Sequence, residues 1–196
     1  LLHCVCQDPK VILYEIPTMT LPTHNIAIQN AWIVTDVEET AKKWSAAMNI
    51  GPFYIAEYTP AAFDTIEYHG KPGKLHMKIA IAYAGDVQIE LVEPVGVYPC
   101  AYFDTIEAGS TGFHHLCYWS DNIDADLTHY EQQGFDIANQ GQMAGGGPRF
   151  AYIDASETLG CMIELLERAE GTEKIFNTWK ENTKNWQPGD QAIVKL

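Results

Sequence analysis

QNAWIVTDVEETAKKW (residues 29–44) and HLCYWSDNIDADLTHY (residues 115–130) align without a gap when Gln29 is set on His115. Val37 then falls on Ile123 and Trp44 on Tyr130. Each stretch reads as a short strand, an acidic turn and an amphipathic helix whose apolar residues recur three or four apart. The echo returns downstream. IELVE (residues 89–93) matches IELLE (residues 163–167), the first following Gly85-Asp86 and the second Leu159-Gly160. Between helix and last strand lie FYIAEY and HMKIAIAYA in the first half, and FDIAN and PRFAYID in the second. Two blocks matched in the same order make a true internal repeat. Each half scans as strand, helix, strand, strand, strand.

The expected fold class is therefore α+β: two tandem βαβββ modules, residues 26–98 and 110–168, forming a curved, barrel-like mixed sheet around a metal site. Residues 1–25 carry Pro9, Pro17 and Pro22 and read as an extended N-terminal arm. Residues 170–196 read as a helical tail, with Ile175, Trp179 and Trp186 spaced like one helical face that packs back on the domain.

Composition bounds the function. The 196 residues suffice for one large domain or two small ones sharing a core. At 46% hydrophobic and 19% charged residues, the chain should bury a real core rather than stay disordered. A formal charge of −14 repels phosphate backbones and anionic membranes, so neither is an expected partner, although a patch around Lys74, Lys78 or Arg149 could bind a small anion. No apolar run approaches the ~20 residues of a membrane span, and LLHCVCQDPK does not read as a signal peptide. Cys4, Cys6, Cys100, Cys117 and Cys161 are odd in number and fit no disulfide or zinc-ribbon spacing. Cys117 and Cys161 read as buried thiols. A cytoplasmic location is expected.

Strand alternation singles out the chemistry. Glu164 points opposite to Ile163 and Leu165, and Glu90 opposite to Ile89 and Leu91. A carboxylate in an apolar strand needs a partner charge or a metal if it is buried. An outward-facing Glu on a half-solvated sheet is the plainer reading of either one alone. The repeat pairs them, and it pairs Gln29 with His115 on the opening strands. Modules facing each other across a pseudo-twofold axis would bring all four together. One imidazole, two carboxylates and an amide oxygen suit Zn²⁺, Ni²⁺, Co²⁺, Mn²⁺ or Fe²⁺, with water in the open positions. Alternation also sends His114 to the helix side, away from His115. Gly145-Gly146-Gly147 lacks the lysine of a P-loop, and no Ser-His-Asp spacing is present.

Over roughly residues 28–167 the chain resembles the vicinal-oxygen-chelate (glyoxalase-like) superfamily. HHLCYWSDNID is similar to the family's second-module opening and IELLE to its closing strand. IQNAWIVTDVEETAKKW, NIGPFYI and GDVQIELVEP resemble its single-chain glyoxalase-like members. By position, the resemblance implies a divalent metal held by Gln29, Glu90, His115 and Glu164. The epimerase branch usually has His at the first of these positions, whereas the zinc glyoxalase I type has Gln, so Gln29 weakens an epimerase assignment. GGGPRFAYID resembles the lead into a third strand, which makes Arg149 a candidate substrate-anion contact, with a surface arginine as its equally plain reading. His76 is a further candidate for the cavity, with a solvent-exposed or satisfied histidine as its plainer reading.

Metal polarisation of a substrate carbonyl, with Glu164 or Glu90 as base, gives isomerisation, epimerisation or elimination. A metal-dependent isomerase, epimerase or lyase acting on a small molecule is the expected function, in a chain that can form a homodimer. The alternatives are an extradiol-type dioxygenase, which favours two His and one carboxylate on Fe²⁺, and a non-catalytic small-molecule binder whose pocket is lined by Trp32, Trp119 and Phe150.

Overall fold

The computed structural model describes residues 26–96 and 98–196; the N-terminal arm expected at residues 1–25 lies outside them. The first module runs β1 (Gln29–Ile33), α1 (Val37–Met48), β2 (Phe53–Tyr58), a hairpin of β3 (Phe63–Tyr68) and β4 (Lys71–Pro72), then β5 (Met77–Ala84) and β6 (Val87–Pro94). One helical turn, α2 (Tyr102–Thr105), leads to β7 (Gly112–Ser120), α3 (Ile123–Gln132), β8 (Asp136–Met143), β9 (Arg149–Ala155), α4 (Ser156–Leu159) and β10 (Cys161–Glu167). α5 (Glu170–Asn185) and β11 (Ile193–Lys195) follow.

The two long module helices begin alike. Asp36 accepts a hydrogen bond from the Glu39 amide at 2.8 Å, and Asn122, its mate in the repeat, accepts one from the Ala125 amide at 3.2 Å. Each side chain satisfies an amide that the first helical turn leaves unpaired. Behind each cap, one apolar stripe faces the sheet: Val37 and Ala41 from α1, Ile123 and Leu127 from α3.

All the strands join one curved, open sheet in the order β11-β2-β5-β6-β1-β7-β10-β9-β8-β3-β4. Its centre is the antiparallel seam of β1 and β7. Outward from the seam the halves mirror each other: β1 lies parallel to β6 and β7 parallel to β10, each followed by two antiparallel steps. The β3–β4 hairpin departs from this symmetry. It crosses over to extend the second half, pairing β3 with β8. β11 caps the other edge by pairing in parallel with β2, so the tail is not helical throughout. Covering both module edges removes two exposed rows of backbone donors and acceptors.

Alternation sorts the side chains into two cores. On the helix face, Leu91, Ala80 and Phe53 pack under α1, while Ile153, Ile163 and Leu165 pack under α3. Trimming a fully buried leucine such as Leu91 or Leu165 to alanine costs about 2–5 kcal/mol. The inner face carries Ile79, Ile81, Phe150, Tyr152 and Met162, together with Tyr102 from α2. α5 lies along this face, with Phe176 and Trp179 packed on it and Trp179 stacked on Tyr54 at 4.7 Å. Beyond α5, Trp186 presses on Gly51 so closely that a Cβ there would meet its ring at 2.9 Å.

Candidate metal centre

The parity that buries Ile89, Leu91, Ile163 and Leu165 on the helix face turns Glu90 and Glu164 onto the inner face. On β1 and β7 it does the same for Gln29 and His115, whose neighbours across the seam are Cys117 and Ala31 respectively. Glu90, His115 and Glu164 offer ligand atoms all within 4.8 Å of one another. His115 Nε2 lies 3.0 Å from Glu164 Oε2 and 3.4 Å from Glu90 Oε2. The Gln29 amide lies close enough to Glu90 to favour its carboxylate. All four residues are buried.

A run of hydrogen bonds fixes which nitrogen of His115 is available. His114 Nε2 is 3.1 Å from the Ala101 carbonyl, which can only accept, so this nitrogen carries a proton. Burial, and then the neighbouring His115, pushes the His114 imidazole down to about 3, so it is neutral and its Nδ1 is an acceptor. His115 Nδ1, 2.8 Å away, must donate to it. In its neutral form His115 is left with a lone pair on Nε2, the nitrogen that faces the two carboxylates. That nitrogen is buried without a hydrogen-bond partner, because neither carboxylate oxygen lies along the direction an N–H there would take. An orphaned imidazole nitrogen between two carboxylates, with its far nitrogen held by a second imidazole, is the donor set and support that a divalent cation requires.

The electrostatics agree. Burial presses His115 down, yet Glu164 and Glu90 outweigh it and push the imidazole up to about 9. Glu90 is raised, first by burial and also by Glu164, with His115 acting against both. Without a metal, the cluster gathers a proton because it lacks positive charge. A divalent ion would supply it. Cys117, beside Glu164, is kept a thiol by burial and that carboxylate, and the buried Tyr102 and Tyr152 phenols are held well above their ordinary value, chiefly by burial.

His114 reaches His115 through a fault in the strand. Ala31 pairs with His115 and Trp32 with Phe113, so His114 is an extra, bulged residue. A bulge re-aims the side chain it carries. Simple alternation, which sent His114 to the helix side, is corrected here: the ring lies on the inner face against Tyr102 and Tyr152.

Above the cluster is a cavity of about 270 Å³. Gln29, Glu90 and Glu164 line it together with Phe150. The other expected substrate contacts lie elsewhere. Trp32 is on the helix face, edge-on to Trp44 at 4.9 Å, because it alternates with Gln29. Trp119 sits behind Phe176 under the Arg168 guanidinium rather than in the lining. His76 is on the other side of β5's edge from Met77 and pairs with Glu57 at 2.8 Å. Arg149 alternates with Phe150 onto the helix face, where Asp124 and Glu167 hold it at 2.7 and 3.2 Å. Sequence reasoning missed Tyr152, whose position opposite Glu164 on β9 places it in the lining, and the α5 residues Ile175, Phe176 and Trp179. The spacing of Ile175 and Trp179 along one helical face was the available signal for α5.

The family model of the Glyoxalase/Bleomycin resistance protein/Dioxygenase superfamily matches residues 28–152. The chain belongs to this superfamily. No curated protein matches it. Among solved structures, methylmalonyl-CoA epimerase from Mycobacterium tuberculosis is 14% identical with a TM-score of 0.54, over 82% of this chain and 97% of the other. Streptomyces coelicolor methylmalonyl-CoA epimerase in complex with 2-nitronate-propionyl-CoA is 15% identical with a TM-score of 0.55, over 76% and 99%. A hypothetical protein from Bacillus halodurans is 20% identical with a TM-score of 0.54, over 74% and 95%. These likenesses show the fold. Among the described residues, no helix is long and apolar enough to cross a membrane.

Proposed function

We propose that this chain is a metal-dependent enzyme that moves a proton at a carbon next to a carbonyl, as an isomerase, epimerase or lyase. The observation that carries the reading is the buried His115 Nε2, without a hydrogen bond, between Glu90 and Glu164, the two carboxylates that line the cavity. Gln29, Glu90, His115 and Glu164 would hold the ion, whether Zn²⁺, Ni²⁺, Co²⁺, Mn²⁺ or Fe²⁺. When bound, the ion supplies Lewis-acid stabilisation of negative charge developing on a substrate oxygen.

The residues do the rest. His114 and Ala101 keep His115 in the tautomer that presents Nε2 to the cluster. Gln29, beside Glu90, favours the charged form of that carboxylate. Glu164 takes the proton from carbon and returns it to the same carbon, to its neighbour, or to a leaving group, and the pocket decides which. The apolar inner face excludes water from the reacting carbon. The free, buried thiols of Cys100, Cys117 and Cys161 support a reducing, cytoplasmic setting.

The test is metal analysis of the purified protein, followed by an anaerobic NMR assay of deuterium exchange from D₂O into the carbon beside the carbonyl of 2-hydroxyacetophenone. Exchange should need the metal. It should fall by about 10²–10⁴ in Glu164→Gln, the usual worth of a general base. Undiminished exchange after chelation, or turnover that demands O₂ as ring cleavage does, would sink the proposal.

A further inference from the structure

We infer that the substrate is a small, uncharged carbonyl compound with an apolar body, gripped under α5 by hydrophobic contact and not by ion pairs; this rests on the proton-transfer reading above. The cavity's charged floor is confined to the cluster, and Tyr58, Tyr152 and Thr172 add hydroxyls to the lining. Above the floor, its walls are Ile79 and Ile81 from β5, Phe150 from β9 and Met143 from β8, roofed by Phe176 and Trp179 of α5. A pocket with one polar end and apolar sides takes a ligand of the same make-up.

Charge narrows the class. Among the described residues that line the cavity there is no Lys, Arg or His, and Glu90 and Glu164 are its charged groups. A divalent ion would balance those two carboxylates and leave no surplus positive charge for an anionic tail. Four cations are paired elsewhere, Arg149 with Asp124 and Glu167, Arg168 with Asp121 and Glu173, Lys180 with Asp86 and Lys78 with Glu93, and Lys71, Lys74 and Lys174 lie outside the lining. The chain as a whole stands at −14. A negative surface opposes a polyanion rather than recruiting one.

Size narrows it further. At about 270 Å³ the cavity lies near the small end of ligand pockets, which run from roughly 300 to 1,000 Å³. That accommodates a single ring or a short branched chain beside a two-oxygen head. A 2-hydroxyacetophenone-like molecule, with a hydroxyl and a carbonyl on adjacent carbons and a phenyl group behind them, has this shape.

The experiment is isothermal titration of the full chain, both metal-loaded and chelator-stripped, with three probes. These are 2-hydroxyacetophenone, hydroxyacetone (the same head without the ring) and propionyl-CoA (a polyanionic thioester). In both forms of the protein, 2-hydroxyacetophenone should bind at least tenfold tighter than hydroxyacetone, and propionyl-CoA should show no saturable binding. Ile175, at the mouth and 49% exposed, can be changed without disturbing the core. Ile175→Glu should weaken 2-hydroxyacetophenone several-fold and leave metal content as it was. Propionyl-CoA or hydroxyacetone binding as tightly as the aryl ketone, no saturable binding of the aryl ketone, or an unchanged affinity in Ile175→Glu would each overturn the substrate class. Loss of metal-dependent exchange with this order of binding intact would overturn only the proton-transfer reading.

Discussion

β1 and β7 hold equivalent places on either side of the pseudo-twofold axis, yet they present their polar groups very differently. β1 is five residues long and regular through Ala31, and it offers Gln29, an amide beside Glu90. β7 is nine residues long, bulged at His114, and offers an imidazole whose far side is fixed by a second imidazole and the Ala101 carbonyl. The repeat brings four side chains to one place. The bulge, and the α2 turn in the connection between modules, are not part of the repeat. They make one of those positions a strong, oriented donor and leave the other a weak one. Duplication can thus place a site, while local irregularity gives it direction.

Making the two strands alike should have the largest effect. His115→Gln gives β7 the residue that β1 carries. It removes the imidazole proposed to bind the ion and leaves His114 Nδ1 without its imidazole partner. Metal affinity, measured by competition with a chelator, should fall more than about 100-fold, beyond the 10–100-fold that an outer partner is worth. Stoichiometric metal retained at the wild-type affinity would mean that His115 is not a ligand and that the two strands are equivalent.

His114→Phe tests the asymmetry from behind. It keeps an aromatic ring against Tyr102 and Tyr152 but cannot accept from His115 Nδ1. Without that acceptor, His115 is free to take the other tautomer, and its ring is no longer held. Metal affinity should drop by about 10–100-fold. The Ala101 carbonyl also loses its donor, so stability should fall by about 1 kcal/mol, read from the urea midpoint. Full affinity in this variant would reduce the bulge to a packing feature.

Much of this was legible before any coordinates, and the boundary is physical. Parity within IELVE and IELLE is a local property, so Glu90 and Glu164 could be placed on one face from the strands alone. The repeat carried the same logic to Gln29 and His115. A bulge is decided by the partner strand: nothing in GFHHLCYWS states that His114 is the residue Ala31 and Trp32 skip. The β3–β4 hairpin was missed for a similar reason. FDTIEY has the one-sided burial of an edge strand, but its own residues do not say that the edge belongs to the other module. Arg149 and Trp32 lie outside the cavity for a different reason. Both lie on strands that enter the site, and alternation, applied to Glu90 and Glu164 but not to them, would have turned them to the helix face.

Gln29→His approaches the comparison from the opposite side, giving β1 what β7 has. No bulge or second imidazole stands behind position 29, so the new ring would be an unsupported donor. Affinity for Zn²⁺ or Ni²⁺, which favour imidazole, should rise only several-fold, much less than His115→Gln loses. An equal and opposite change would show that residue type alone, and not the surrounding support, sets the difference between the strands.

The smallest effect belongs to the seam between the swapped hairpin and the second module, where the first half is fastened to its mate by charge. His69, in the β3–β4 turn, sits between Asp136 at 2.7 Å and Asp104 at 3.1 Å, and Tyr68 donates to Asp104 at 2.6 Å. Burial pulls the His69 imidazole down, but the hydrogen bonds it donates to Asp136 and Asp104 outweigh it and leave it raised. A folded-state value above the unfolded one means that protonation favours the folded chain. The contribution is therefore complete below about 6.5, the ordinary histidine value, and is lost as pH rises through the raised value. His69 also has a φ of 45°, in the left-handed region. Asn tolerates that region well and carries no charge, so His69→Asn removes the ion pairs without straining the turn. The site is more than one-third exposed, so solvent screening limits the loss to about 0.2–1 kcal/mol. Urea midpoints of wild type and variant should differ by this amount near about pH 5.5 and converge near about pH 9. A difference that is constant across that range would mean the turn's shape, and not the charge on His69, fastens the hairpin to its neighbour.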